Sequence, residues 1–269
     1  MTQVFSAAAV KERCNGMLPV EVYQRLYEAA LAAPDRNLVE VGCAHGAGTV
    51  CLAAGLRDSG REGRVYTFEK IVGGTREAYG GVDENTRIIR ANFDLFGVAD
   101  RIELTIGDVE DCAKVVPHDQ PIGLLCLDAD GAIDRDFALF YDLVRAGAPV
   151  VIDDVLDRTR VKPNGWQRCN RKRKVDQKHR LTFNMLALFK AKGLLDEGQI
   201  HGTDTWFGRK TSERFAVVDP SEILRVYRSM TFGDATVSMV PMRAAMVGAL
   251  NRVLPRSTIE TLKGLEQGK

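Results

Sequence analysis

Several features that would place a chain in a specialised class are missing from this sequence. No run of about 18 apolar residues occurs, so no transmembrane helix is predicted. The stretch from Met1 to Lys11 has no basic segment followed by a sustained apolar one, which excludes the usual form of secretory signal. The six cysteines lie far apart without a Cys-x-x-Cys pair, and several fall in apolar runs. We therefore expect a soluble, cytoplasmic protein with reduced, buried thiols.

A strong net charge of either sign is also missing, because the 269 residues carry a formal net charge of only +1. The local exception is residues 158–180, which hold ten lysines and arginines against one acid and leave −8 for the remainder. The chain as a whole is therefore not a polycation. Its length and its 45% hydrophobic content allow one α/β domain, predicted over 1–220, with a helical extension over 221–269.

Apolar and amphipathic segments alternate in the way that is typical of a parallel sheet with helices on both faces. Helices are predicted at 20–33, 47–58, 84–97, 110–115, 133–145 and 179–193. Strands are predicted at 38–42, 64–69, 102–106, 123–128, 149–153, 198–207 and 214–218. Only residues 208–213 separate the last two strands, and such a short connection permits antiparallel but not parallel pairing. The expected sheet has parallel strands followed by an antiparallel hairpin.

A glycine-rich segment follows the first predicted strand. Residues 38–48 read Leu-Val-Glu-Val-Gly-Cys-Ala-His-Gly-Ala-Gly, and glycines let the backbone pass close to a bulky ligand. The spacing Gly42-x-x-x-Gly46-x-Gly48 differs from the G-x-G-x-x-G pattern that holds a pyrophosphate at a helix N-terminus. The spacing therefore favours a cofactor without phosphates, the plain alternative being an ordinary glycine-rich turn.

Acidic residues follow two later predicted strands, as Asp128-Ala-Asp130 and Asp153-Asp154. If these strands are neighbours, their ends lie only about 4.8 Å apart and the carboxylates converge. Carboxylates that are crowded in this way repel one another unless a cation is present, and oxygen ligands are what Mg²⁺ prefers. The alternative interpretation is a set of strand-end and helix-capping acids that bind no metal.

Four segments, in this order, resemble the class I S-adenosylmethionine-dependent methyltransferases. They are residues 39–48, 91–108, 127–130 and 151–154, within a region of resemblance from 14 to 218. The similarity is closest to metal-dependent O-methyltransferases of the sugar, macrolide and catechol type. This resemblance implies an α/β, Rossmann-like, seven-stranded sheet that is mostly parallel and ends in an antiparallel hairpin. It also implies methyl transfer to a hydroxyl of a small molecule, such as a sugar or a natural product.

The resemblance further implies a set of residues that bind S-adenosylmethionine. Glu69 is expected to accept hydrogen bonds from the ribose hydroxyls, Asp108 to lie near the adenine, and Met17 to cover the methionine end. For His45, a local hydrogen bond within the loop is the favoured alternative to a role as a base. The full set is Met17, Glu40, Gly42, His45, Gly46, Gly48, Glu69, Asp108 and Asp128.

By the same resemblance, a Mg²⁺ ion or another divalent cation is expected on Asp128, Asp153 and Asp154. The expected catalytic residues are Asp128 and Asp130, with Asp130 as the general base or the partner of the substrate hydroxyl. Many relatives place a histidine directly after this second acid, whereas this chain has Gly131. The resemblance therefore does not extend to this histidine.

Residues 158–180 include Pro163, Asn164, Gly165 and Trp166, and this composition predicts a long mobile loop that lies over the crevice like a lid. Its charge favours an anionic acceptor, for example a phosphorylated or nucleotide-linked one, and the plain alternative is a solvated loop. A second alternative is an RNA or DNA methyltransferase that binds phosphates through these residues. The absence of a separate recognition domain and of an Asn-Pro-Pro-aromatic motif argues against it. A non-catalytic cofactor-binding protein ranks third.

Helix-start signals complete the sequence pattern. Asp134 is predicted to be an N-cap and Asp136 a solvated acid in the first helical turn. Asp219 is predicted to be an N-cap and Pro220 to occupy the first helical position, opening a helix that continues through 221–230. Residues 242–254 form a basic amphipathic pattern, which we expect to pack on the same domain or on a second subunit, with peripheral membrane binding as the alternative.

Overall fold

The computed structural model describes residues 4–71, 80–128, 130–158, 160–163 and 173–232. For residues 112, 160–163, 173–176 and 231–232 the structure describes the backbone alone. Within these ranges, no helix has both the length and the apolar character needed to span a membrane.

One seven-stranded sheet forms the centre of the molecule. Its strands are β1 (Asn37–Val41), β2 (Val65–Glu69), β3 (Ile102–Ile106), β4 (Ile122–Leu127), β5 (Pro149–Ile152), β8 (Gln199–His201) and β9 (Thr205–Arg209), in the spatial order β3-β2-β1-β4-β5-β9-β8. The first five are parallel, whereas β9 runs antiparallel to β5 and to β8. A separate antiparallel ribbon pairs β6 (Arg160–Pro163) with β7 (Arg173–Asp176).

Helices cover both faces of the sheet. They are α1 (Ala7–Arg13), α2 (Val20–Leu31), α3 (Ala47–Asp58), α4 (Gly81–Leu95), α5 (Val109–Cys112), α6 (Ile133–Phe140), α7 (Lys178–Ala191) and α8 (Pro220–Phe232). One buried cluster joins the sheet to α6 and α7, and the other joins it to α1, α2, α3 and α4. All residues of β1, β4 and β5 are buried, as expected for strands that are covered on two faces.

The strand order reverses between β1 and β4. After β1 the chain adds β2 and β3 on one side, and it then returns to place β4 on the other side. In open α/β sheets, ligands bind in the crevice at the carboxyl ends of the strands at such a reversal. This position brings the segment after β1 and the segment after β4 to the same place.

The predicted architecture and the first five strands are confirmed, but the prediction for the hairpin is wrong in detail. The chain turns at residues 202–204 rather than at 208–213, and the predicted strand 214–218 contains a short 3₁₀ helix, Phe215–Val217. Phe215 is partly buried and packs against the core beside Phe137 and Phe189, so its apolar character reflects this packing rather than strand formation.

Two further predictions require correction. Part of the predicted long loop at 158–180 is the β6–β7 ribbon, and α7 begins inside it at Lys178; residues 164–172 lie outside the described part. Asp134 is not an N-cap, because Ala132 precedes the helix and the Asp134 carboxylate instead accepts a 2.9 Å hydrogen bond from the Tyr227 hydroxyl.

Asp136, expected to be solvated, is 1% exposed and is paired with Arg135 at 2.7 Å. Burial raises the pKa of Asp136 to about 6, although the guanidinium opposes this shift. The helix predicted after Asp219 is confirmed as α8, with the Asp219 carboxylate accepting a hydrogen bond from the Ser221 N–H. The amphipathic segment 242–254 lies outside the described residues.

Candidate active site

The glycine-rich loop bends in a way that needs glycine at two positions. Gly42 has φ 88° and its N–H donates to the Phe68 carbonyl at 2.8 Å, which ties the loop to β2. Gly46 has φ 85° and directly precedes α3, and a Cβ there would lie 2.6 Å from the Phe93 ring. The loop can therefore turn sharply from β1 into α3 with its backbone exposed to a ligand.

Glu40 lies beneath this loop in the interior of the sheet. It is 2% exposed, and its Oε2 accepts hydrogen bonds from the Thr49 hydroxyl at 2.5 Å and from the Thr67 hydroxyl at 2.7 Å. Burial raises the pKa of Glu40 to about 7, against the opposing effect of these two hydrogen bonds. A Cβ at Gly48 would clash with the Glu40 carboxylate, so the third glycine of the motif makes room for the acid.

One crevice joins the glycine-rich loop to the acidic segments. Residues after β1, residues at the ends of β4 and β5, and the segment between α1 and α2 all line it. Among the residues that the sequence singled out, those that line the crevice are Met17, Glu40, Gly42, His45, Gly48, Asp128 and Asp153. The switch in strand order thus produces a single cleft with an apolar, glycine-lined part and an acidic part.

Asp128 and Asp153 reach the crevice because their strands are neighbours. The Asp128 N–H donates to the Val41 carbonyl at 2.8 Å, and the Asp153 N–H donates to the Leu127 carbonyl at 2.9 Å, so each acid directly extends a parallel strand pair. Asp154 follows with φ 60°. One carboxylate oxygen from each of the three acids lies within 4.8 Å of the others, and we call this group the acidic cluster.

Burial and mutual repulsion disfavour the charged forms of two of these acids. Burial and the nearby Asp153 carboxylate raise the pKa of Asp128 well above its ordinary value. Burial, with a smaller contribution from Asp154, raises the pKa of Asp153 to about 6 even though the Thr205 hydroxyl donates to Asp153 at 2.6 Å. A cation placed among these carboxylates would relieve the repulsion.

Two basic side chains from the start of α7 face the acidic cluster. The Lys178 ammonium is paired with Asp154 and lies 3.7 Å from Asp128. His179 is 2% exposed, and its Nε2 lies 2.6 Å from Asp154 and 3.6 Å from Asp204. Burial opposes the charge of Lys178, but Asp128 and Asp154 outweigh it and raise its pKa. Asp154, His179 and Asp204 also have ligand atoms within 4.8 Å of one another.

The remaining candidates lie away from the lining of the crevice. The Glu69 Oε2 accepts a 2.7 Å hydrogen bond from the Ala44 N–H, which ties this acid to the glycine-rich loop. Asp108 is exposed and paired with Lys70. Asp130 is exposed and pairs with Arg135 at 2.9 Å. Partial burial opposes its charge, but Arg135 and the Ala132 N–H hold the pKa of Asp130 below its ordinary value.

The sequence alone did not single out Thr205, Lys178, His179 and Asp204 as members of this site. Thr205 faces Asp153 because Trp206 pairs with Ile152, a register hidden by the misplaced hairpin turn. Lys178 and His179 lie in the run of basic residues, where no local pattern separates them from solvated neighbours. Only the folded structure identifies them, because α7 brings them to the acids at the ends of β4 and β5.

Part of this chain is similar in sequence to known methyltransferases. Residues 39–155 match the profile of a family described as a methyltransferase domain. The catechol O-methyltransferase of Mycobacterium tuberculosis is 30% identical over 122 residues, which are 45% of this chain and 49% of that protein. The aligned part therefore spans about half the length of this relative.

Solved structures share the fold over a larger part of the chain. The cofactor-bound Rv0187 from MTB is 22% identical, with a TM-score of 0.55 over 77% of this chain and 89% of that one. The O-methyltransferase TomG from Streptomyces achromogenes, solved with SAM, is 18% identical, with a TM-score of 0.54 over 79% and 92%. Residues 39–155 are thus similar to a methyltransferase domain, and the fold of the described chain is similar to that of these solved structures.

Proposed function

We propose that this protein is an S-adenosylmethionine-dependent O-methyltransferase that acts on a hydroxyl of a small molecule. The observation that carries the proposal is the single crevice that the glycine-rich loop and the acidic residues Asp128 and Asp153 line together. Methyl transfer from a sulfonium to an oxygen needs the two reactants in line, and one cleft with two chemically different parts can hold both.

In this proposal the cofactor occupies the glycine-lined part. Gly42, Gly46 and Gly48 let the backbone approach it, Glu40 supports the loop from below, and Met17 with His45 borders the methionine end. Glu69 binds the ribose and Asp108 lies near the adenine; the first must then share its carboxylate with the Ala44 N–H, and the second with Lys70. Asp128 lies at the boundary between cofactor and acceptor.

The acidic cluster holds the acceptor hydroxyl. Its three carboxylate oxygens within 4.8 Å form the hard oxygen donor set that suits Mg²⁺, so Asp128, Asp153 and Asp154 would hold such an ion. A divalent ion bound there would polarise the hydroxyl oxygen and lower the cost of its deprotonation. The chain itself orients the acids through their backbone bonds to β1 and β4 and through the Thr205 hydroxyl on Asp153.

The role of general base does not suit the surroundings of Asp130. Asp130 was assigned to it from the resemblance, but the ion pair with Arg135 and the lowered pKa argue against proton uptake by this acid. The acceptor class is a hydroxylated sugar or natural product, and the +9 charge of residues 158–180 favours an anionic one. A relative that is named a catechol O-methyltransferase makes phenolic hydroxyls worth including.

The test combines calorimetry with a screen of acceptors. S-adenosylmethionine is titrated into the wild-type protein, Asp153→Asn and Asp100→Asn, the last being an exposed control away from the crevice. Hydroxylated acceptors are then screened for formation of S-adenosylhomocysteine, with and without Mg²⁺. We expect all three proteins to bind the cofactor, and only Asp153→Asn to lose metal-stimulated turnover. A wild-type protein that binds no S-adenosylmethionine would overturn the proposal.

A further inference from the structure

We propose that Lys178 is a built-in cation of the acidic cluster, and that a divalent ion can bind to this cluster only by displacing the Lys178 ammonium. The inference rests on the proposed function in one respect, since it takes Asp128, Asp153 and Asp154 as the metal-binding acids. It adds a residue from α7 that controls their affinity for metal.

The first support is the position of the ammonium. Lys178 Nζ is in contact with the Asp154 carboxylate and lies 3.7 Å from Asp128 Oδ1, so it bridges acids that follow two different strands. The Lys178 side chain is only 24% exposed, in line with an ammonium directed into the site rather than into solvent. A divalent ion that coordinates the same oxygens would lie within a few ångströms of this charge, and the two would repel each other strongly.

The second support is that donors from the chain already engage the cluster. Asp154 has one oxygen paired with Lys178 and the other 2.6 Å from His179 Nε2. The Asp153 Oδ1 accepts the 2.6 Å hydrogen bond from Thr205. Buried carboxylates without counter-charges would be costly, and these contacts supply donors and positive charge without an added ion.

The third support is the room that Gly131 leaves. This residue has φ 87°, and a Cβ built on it would lie 3.0 Å from Lys178 Cγ and 3.2 Å from the Thr182 hydroxyl. A side chain at position 131 would therefore press on the aliphatic part of Lys178. The glycine that distinguishes this chain at the end of the Asp128-Ala-Asp130 motif allows the lysine to enter from α7.

The experiment measures metal affinity rather than turnover. Mn²⁺ is titrated into the wild-type protein, Lys178→Met and Lys178→Arg at fixed pH, and the free ion is followed by electron paramagnetic resonance. Lys190→Met is the matched control, because Lys190 lies on the same helix and pairs with Glu197 instead of the cluster. We expect Lys178→Met to bind Mn²⁺ at least about tenfold more tightly than the wild type, since a like charge has been removed. Lys178→Arg and Lys190→Met should stay within about twofold of the wild type.

A second substitution locates the gained affinity. Adding Asp153→Asn to Lys178→Met should remove it, because the cluster then loses one of its carboxylates. An affinity for Mn²⁺ that Lys178→Met leaves unchanged or weakens would overturn the inference, and so would an equal gain in Lys190→Met. S-adenosylmethionine is titrated into the same samples to check folding and to separate the two proposals. A gain in metal affinity without cofactor binding would leave the lysine inference standing and remove the proposed function.

Discussion

Burial gives the carboxylates of this site different properties although their chemistry is the same. Glu40 lies on β1, is buried against Thr49 and Thr67, and holds its proton to a higher pH than a free glutamate, with a pKa of about 7. Asp130 is largely exposed and paired with Arg135, which keeps its pKa below the ordinary value. The first acid is suited to a neutral structural role beneath the glycine-rich loop, and the second to a permanent ion pair.

The raised pKa of Glu40 predicts that stability falls as pH rises. The unfolded chain loses this proton near the ordinary value of 4.5, whereas the folded protein keeps it up to about 7. The stabilisation by the bound proton is therefore fully present below about 4.5 and is lost as pH rises through 7, by roughly 3 kcal/mol. Urea unfolding of the wild type at several pH values should show this slope, and Glu40→Gln should reduce it, the remainder coming from buried acids such as Asp136 and Asp153. Parallel slopes for the two proteins would contradict the prediction.

Substitution of Asp130 tests whether this acid is the general base that the resemblance implies or only the ion-pair partner of Arg135. Because Arg135 holds this carboxylate outside the lining of the crevice, we expect Asp130→Asn to change kcat by less than about threefold. A general base would cost about a hundredfold or more when removed. Initial rates with an acceptor from the screen decide between these outcomes, and Asp153→Asn serves as the variant that should fail.

At the level of whole elements, the sequence predicts the parallel strands correctly but misplaces the turn of the antiparallel hairpin. The five parallel strands were predicted because each is a short apolar run bounded by turns, and β1, β4 and β5 are buried throughout. The hairpin was misplaced because Gly208 and its polar neighbours resemble a turn, whereas the chain turns at 202–204. Gly208 is needed for packing inside a strand, and this need is visible only in the folded structure. The partners of Asp153 and Asp154 come from distant parts of the chain, so the sequence could not identify them either.

Gly208 makes room for the Trp206 indole within β9. A Cβ at this position would clash with the indole ring and with the Asp196 carboxylate, although the backbone is in a region open to any residue. We expect Gly208→Ala to lower the free energy of unfolding by about 1–3 kcal/mol through overpacking. The change should also alter Trp206 fluorescence, which can be isolated in a Trp166→Phe background.

Gly147→Ala provides the comparison for this prediction. Space around Gly147 is open but its φ is 80°, so that variant reports backbone strain without steric overlap. Gly208→Ala should shift the tryptophan emission. It should also weaken the proposed binding of a metal by Asp153, because β9 carries Thr205, whose hydroxyl orients the Asp153 carboxylate. A Gly208→Ala protein with unchanged fluorescence and wild-type stability would show that the indole can move without cost.

At the scale of the whole molecule, charge is separated between one segment and the rest. Residues 158–180 carry +9 and the remainder carries −8, and this segment ends at α7, whose first residues face the acidic cluster. An anionic acceptor would thus be attracted to the positive segment and disfavoured by the net charge of the remainder. Such attraction between charges is screened by salt over about 8–10 Å at moderate ionic strength.

Neutralisation of Arg171, Lys172, Arg173 and Lys174 to serine tests this attraction; the side chains at these positions lie outside the described part of the structure. For an anionic acceptor we expect KM to rise by about tenfold with kcat nearly unchanged, because the segment acts on encounter rather than on the chemical step. The same KM should rise with salt in the wild type and much less in the variant. A neutral acceptor should show neither effect. Serine substitutions at four exposed cations that pair with acids elsewhere, Arg64, Arg87, Lys114 and Arg214, remove the same number of charges and control for the change in net charge. If the KM for the anionic acceptor is the same in the wild type and the variant, residues 158–180 have no role in recruitment. If the wild type instead binds RNA tightly and in a salt-sensitive way, and the variant does not, a nucleic-acid substrate is favoured.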